Sequence, residues 1–173
     1  MAITSLYSNS SDAKVYVGTT YGYLNESFSE SGYKSISAQT ASIKVGYGIR
    51  TAYAVELSFD YTPNDENVFS TNDSDKYGID LELMKAFDWD IFVYPFFKAG
   101  FGAGYFDIKN QNNNSINYSS YNLALGCFIP INEHFDAEIG YRYKFTSYEK
   151  VSETIKSVSS NINIGYLGIN FRF

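Results

Sequence analysis

The 173-residue chain has one cysteine, three prolines, one histidine, one tryptophan and only 13 basic residues against 19 acidic ones. Each shortage closes off a class of answer. Cys127 alone forms neither an internal disulfide nor a cysteine-based zinc site. A membrane-spanning helix needs about 20 apolar residues, and the longest apolar run, 91–97, stops at Lys98. A net charge of −6 leaves no basic face for nucleic acid. His134 is the only imidazole, so every serine–histidine, cysteine–histidine or histidine–metal scheme has to use it. The start, Met1-Ala2-Ile3-Thr4-Ser5, lacks the basic residues and apolar stretch of a secretory signal, as in a cytosolic protein or in an exported chain whose signal has been removed.

What is plentiful is tyrosine (17) and phenylalanine (14), a composition that excludes a disordered chain. The apolar residues recur with a period of two. Tyr53, Val55, Leu57, Phe59 and Tyr61 alternate with polar neighbours, as do Tyr77, Ile79, Leu81 and Leu83, and Phe135, Ala137, Ile139, Tyr141, Tyr143 and Phe145. Segments 13–23, 41–50, 93–106, 119–129 and 160–173 read the same way. Eight strands are expected, with no helical segment. Connections alternate between short ones at 50–52, 86–90 and 130–134 and long polar ones at 25–35, 62–75, 107–117 and 147–157. That is an up-and-down meander forming one domain over 1–173, with every long loop on one side.

Which face meets solvent decides the class. In a soluble barrel the charges point out; in a membrane barrel the apolar row faces lipid and the interior is polar. Eleven of the 13 glycines share parity with the charged residues, as suits a crowded lumen where long side chains need room. Tyrosines gather toward the strand ends on the apolar parity. Tyr21, Tyr23, Tyr61, Tyr77, Tyr105 and Tyr121 lie toward the long loops, and Tyr47 and Tyr53 lie near the short turns. Two girdles around an aliphatic band are the interfacial pattern of a membrane barrel. The expectation is an all-β, closed, eight-stranded transmembrane barrel with a packed polar interior. Its inward network comprises Lys14, Lys44, Glu56, Asp60, Asp80, Glu82, Lys98, Glu138, Arg142 and Lys144, a plug of ion pairs since eight strands leave only side-chain width.

Three stretches resemble the small eight-stranded outer-membrane barrels of Gram-negative bacteria, of the OmpA, OmpX and opacity-protein kind. They are Tyr94-Pro95-Phe96-Phe97-Lys98-Ala99-Gly100-Phe101-Gly102-Ala103-Gly104-Tyr105, then Pro130-Ile131-Asn132-Glu133-His134-Phe135 with Gly140-Tyr141-Arg142-Tyr143, and Leu167-Gly168-Ile169-Asn170-Phe171-Arg172-Phe173. The last is similar to the signal read by the barrel-assembly machinery, which implies that role for Phe171 and Phe173. The resemblance further implies a monomer in the bacterial outer membrane, in contact with membrane lipid and lipopolysaccharide. A host or surface ligand would be met by the loops, and no cofactor, metal or nucleic acid is expected.

Three roles remain. A non-enzymatic surface or envelope-structural protein comes first, a narrow porin-like channel second, and an outer-leaflet lipid A-modifying enzyme last, because His134 falls in a short turn at the opposite end. Cys127 reads as a small apolar residue on the lipid-facing parity. The run Asp73-Ser74-Asp75-Lys76-Tyr77-Gly78 imitates a calcium loop but carries Tyr77 and Met84 where ligands belong, so an acidic loop is expected. Gly100, Gly102 and Gly104 lie inside a strand and open no helix, so they are no nucleotide fingerprint. Acidic Glu26, Glu30, Asp65, Glu66, Asp73, Asp75, Asp107, Glu149 and Glu153, with Tyr33, Val68 and Phe69, are expected to form the loop surface. Ile162 and Ile164 have the opposite parity to Leu167 and Ile169: either a bulge near Gly165 restores register or the isoleucines point inward.

Overall fold

The computed structural model describes residues 12–30, 32–64, 68, 73–108, 115–149 and 158–173. Eight strands run in chain order: β1 (Lys14–Phe28), β2 (Ile36–Gly48), β3 (Tyr53–Thr62), β4 (Asp73–Ala86), β5 (Tyr94–Ile108), β6 (Ser115–Pro130), β7 (Phe135–Tyr148) and β8 (Ser159–Arg172). Each pairs antiparallel with its sequence neighbour, and β8 pairs with β1, closing the barrel. No helix occurs among the described residues.

The stagger of that closure can be followed residue by residue. Paired positions lead from Tyr16 through Gly46, Glu56, Glu82, Gly100, Asn122, Lys144 and Ile162 to Glu26, ten residues further along the strand where the line began at position 16. A shear larger than the strand number tilts the strands, and a strand number of eight keeps the lumen narrow enough for side chains to fill.

Alternation places odd-numbered side chains outside and even-numbered ones inside on every strand. Leu83 is 66% exposed and Tyr53 69%, whereas Glu56, Glu82 and Asp80 are each 1% exposed. An aliphatic and aromatic wall of this extent far exceeds the apolar patch a water-soluble monomer carries; it fits hydrocarbon. Ion pairs run the height of the interior, and at both ends apolar clusters pack among them. Leu24, Ile36, Phe106, Ile116 and Ile162 pack near the long loops, and Ala54, Met84, Tyr94, Phe96 and Phe128 pack near the short turns.

Two short turns show their chemistry. Asn132 Oδ1 accepts from the amides of His134 (2.8 Å) and Phe135 (2.9 Å), closing β6 onto β7. Asp90, with φ of 56°, takes the left-handed conformation between β4 and β5, and its amide donates to Asp88 Oδ1 at 3.1 Å.

The structure differs from the alternation pattern in three places. There is no bulge in β8: register runs unbroken from Ser159 to Phe171, and Ile162 (2%) and Ile164 (6%) point into the lumen. Strands also extend beyond the alternating segments, so 25–28 belongs to β1, 36–40 to β2 and 115–118 to β6. Above the apolar band the outward face turns polar while Ile36, Ile116 and Ile162 point inward, so the sense of the alternation reverses, yet the hydrogen-bonded ladder continues. For the same reason Asp73 and Asp75 stand in β4 rather than in an acidic loop.

Candidate functional site: a charged lumen inside an apolar wall

Four groups of ion pairs cross the lumen. Nearest the short turns, Arg50 (2.9 Å) and Arg172 (2.7 Å) converge on Asp136. Above them lies a square. Lys44 Nζ reaches Glu56 (3.2 Å) and Glu138 (2.5 Å), and Lys98 Nζ reaches the same two carboxylates at 2.5 and 2.9 Å. Tyr16 OH donates to Glu56 at 2.7 Å, while Tyr166 OH (3.0 Å) and Asn170 Nδ2 (2.9 Å) donate to Glu138. At mid-height Lys144 bridges Asp60 (2.6 Å) and Asp80 (2.5 Å), and Arg142 donates to Glu82 at 2.9 Å. Toward the long loops, Lys76 meets Glu26 at 3.1 Å, and Tyr148 OH donates to Glu26 at 2.6 Å.

These groups are desolvated, so each charge depends on its partners. Lysines 44, 76, 98 and 144 with arginines 50, 142 and 172 oppose Glu26, Glu56, Glu82, Glu138, Asp60, Asp80 and Asp136, seven of each sign. The lumen is therefore neutral, and the whole net charge of −6 falls on rims, turns and loops. Aromatic faces add to the packing: Lys98 Nζ lies 4.7 Å from the Phe96 ring and Arg172 Cζ 4.5 Å from the Tyr16 ring.

Inward glycines make room for these rings. A Cβ on Gly46 would fall 2.2 Å from Tyr16 Cζ, one on Gly104 2.5 Å from Tyr118 OH, and one on Gly140 2.5 Å from Tyr166 Cζ. Each glycine thus makes room for the ring of the tyrosine paired with it on the neighbouring strand.

Of the residues expected in the network, Lys44, Glu56, Asp60, Asp80, Glu82, Lys98, Glu138, Arg142 and Lys144 meet in these groups. Lys14 does not: it is half-buried at the short-turn rim and forms no ion pair among the described residues, because the one inward carboxylate there, Asp136, already holds two arginines. Glu26, expected on the loop surface, is buried inside the barrel. Asp65, Glu66, Phe69 and Glu153 lie outside the described residues. Unforeseen were Asp136 and the inward tyrosines 16, 118, 148 and 166. Their even numbering, shared with the lysines and glutamates, was the available signal.

On the outer wall, Tyr61, Tyr77 and Tyr105 form a row with ring centroids 5.3 and 5.1 Å apart. Tyr21, Tyr23, Tyr47, Tyr53 and Tyr121 are exposed on the same wall, as is Phe173. Phe171 packs its ring between Phe135 (5.0 Å) and Phe173 (5.0 Å). His134 stacks on Phe171 with centroids 5.8 Å apart, in the β6–β7 turn. Cys127 is half-buried on the outward parity. No cluster of histidine, cysteine and carboxylates able to hold a metal occurs among the described residues.

A closed barrel with lipid-compatible walls and a charged, filled lumen defines an integral membrane barrel of the outer-membrane type. The sequence matches the family model for the outer membrane protein β-barrel domain over residues 1–167, and the chain belongs to that family. It is a protein of the bacterial outer membrane, in an environment of lipid and lipopolysaccharide. Similar solved structures include Neisserial surface protein A, with TM-score 0.71 and 18% identity over 94% of this chain and 99% of that one. The attachment invasion locus protein Ail of Yersinia pestis aligns with TM-score 0.56 and 18% identity over 92% and 99% of the two chains. OprG from Pseudomonas aeruginosa aligns with TM-score 0.57 and 11% identity over 92% and 96%. At these identities the likeness is one of fold. No curated protein sequence matches the chain.

Proposed function

We propose that this protein is a monomeric, non-enzymatic surface barrel that presents its four long connections outside the cell and does not conduct through its lumen. The observation carrying this reading is the square of Lys44, Lys98, Glu56 and Glu138, which bridges β2, β3, β5 and β7 across the full width of the lumen. Ions would have to break several desolvated pairs to pass. The only imidazole, His134, stacks on Phe171 at the short-turn end, away from the side where an outer-leaflet enzyme would work. Phe171 and Phe173 face outward beside the girdle, where the assembly machinery could read them.

The long-loop end carries Glu30, Asp65, Glu66, Asp73, Asp75, Asp107, Glu149 and Glu153 against Lys34, Lys109, Lys150 and Lys156. That excess favours a cationic or cation-bridged partner over a polyanion. A structure of Ail holds the heparin analogue sucrose octasulfate; the acidic loops here oppose such a ligand. Recording from the purified protein in a planar bilayer tests the reading. The account expects no single-channel steps, and regular steps would overturn the plug. Protease added to intact cells should cut within 149–158, and failure to cut there would overturn the orientation.

A further inference from the structure

The short-turn mouth of the barrel is tied across its diameter. The β2–β3 turn, residues 49–52, and the β6–β7 turn, residues 131–134, stand four strands apart on a ring of eight, so they face each other. Arg50 joins them. Its own turn is tight: the Ile49 amide donates to the Tyr53 carbonyl (2.9 Å) and the Ala52 amide to the Ile49 carbonyl (3.1 Å). The Arg50 guanidinium reaches Asp136 Oδ1 at 2.9 Å and donates to the carbonyls of Asn132 (3.1 Å) and Glu133 (3.2 Å). Asn132 Oδ1 holds that opposite turn in shape through the amides of His134 and Phe135. Asp136 is buried and shared by two arginines through different oxygens. Arg172 Nε takes Oδ2 at 2.7 Å with a side chain only 3% exposed, whereas the Arg50 side chain is 19% exposed and meets solvent. At the same end of the lumen Tyr16, Ala54 and Met84 are all buried.

We infer that Arg50 is a strap across this mouth, a conformational device that keeps water and solutes off the lumen floor and lets go as ionic strength rises. The crossing joins opposed turns rather than neighbours, so its release widens the opening instead of loosening one hairpin. A guanidinium spreads its donors over several acceptors, as an ammonium does not. Charge on the donor strengthens each bond, but the strap lies at the solvent edge, where salt acts on it. The Debye length falls from about 10 Å at 0.1 M to about 3 Å at 1 M. The square of Lys44, Lys98, Glu56 and Glu138 is buried and is screened far less under the same change. The mouth therefore opens while the middle of the lumen stays shut. The strap does not depend on that seal: single-channel steps from the native protein would overturn the plug and leave the strap as it is.

Access to a cysteine beneath the strap tests the inference. The full chain carrying Cys127→Ala and Ala54→Cys is placed in nanodiscs, and its reaction with a small uncharged, water-soluble methanethiosulfonate is timed. Labelling should be slow at about 0.1 M sodium chloride and about tenfold faster at about 1 M. Adding Arg50→Ala should speed labelling about tenfold at the lower salt and abolish the dependence on salt. Lys14→Ala, which removes a rim cation that forms no ion pair among the described residues, should leave the rate unchanged. Equal rates with and without Arg50, a native rate indifferent to salt, or the same acceleration from Lys14→Ala would each overturn the strap. If the Ala54→Cys chain does not fold, nitroxides at Thr51 and Glu133 decide instead. Their distance should be narrowly distributed at low salt and broad at high salt or in Arg50→Ala; an unchanged width would overturn the inference.

Discussion

Glu138 holds more of the lumen together than any other single side chain described here. It binds Lys44 and Lys98 and accepts from Tyr166 and Asn170. Glu138→Gln keeps the shape and removes the charge, leaving two buried lysines to share Glu56. The expected loss is about 3–5 kcal/mol, measured by urea unfolding in lipid vesicles. Replacing Lys98 by Met and Glu56 by Gln together should cost less than the two single changes summed, since neither then strands the other. Gly46→Ala tests the seating of Tyr16. The added methyl meets the ring at 2.2 Å and has to displace it from Glu56, at about 1–3 kcal/mol. Shrinking Tyr16 in the same chain should recover part of that loss. The charged half of this lumen was legible from parity, because Lys and Glu in strands point one way. The tyrosines were harder, since tyrosine occupies both faces: Tyr77 lies on the wall of β4, and Tyr118, two strands further on in β6, reaches over Gly104 of β5 to donate to its carbonyl at 2.9 Å.

At the scale of a strand, legibility followed the hydrocarbon. Within the band the two faces differ in polarity and the period of two is plain. Beyond it the outward residues are Asn25, Ser27, Ser37 and Gln39, as polar as any loop, although β1 and β2 remain paired there from Leu24↔Ala38 to Glu26↔Ile36. Glu26 was assigned to the loop surface for that reason. β8 presents the reverse case. Its outward residues Asn161 and Asn163 accept hydrogen bonds from Tyr143 and Tyr141 of β7, and its inward ones are Ile162 and Ile164, so polarity inverts while register holds. Cysteine placed at Leu167 should react with a lipid-soluble maleimide, and cysteine at Ile164 should be protected. Equal labelling at both sites would restore the bulge.

For the whole molecule, the topology was readable because loop lengths alternate and antiparallel neighbours need only short turns on one side. The end layers were not: Met84 of β4 and Phe128 of β6, far apart in sequence, join one apolar cluster through the intervening β5. Closure also neutralises the lumen, which leaves the acidic excess at the two ends. The central claim is that hydrocarbon surrounds the odd-numbered side chains and that ion pairs fill the inside. It is tested most directly by nuclear Overhauser transfer from lipid acyl chains to the methyl groups of the unmodified protein in bicelles. Val55, Leu57, Leu81, Leu83, Leu123 and Leu125 should receive it, and Met84, Ile162 and Ile164 should not. Transfer to the second set, or to both sets alike, would contradict the account.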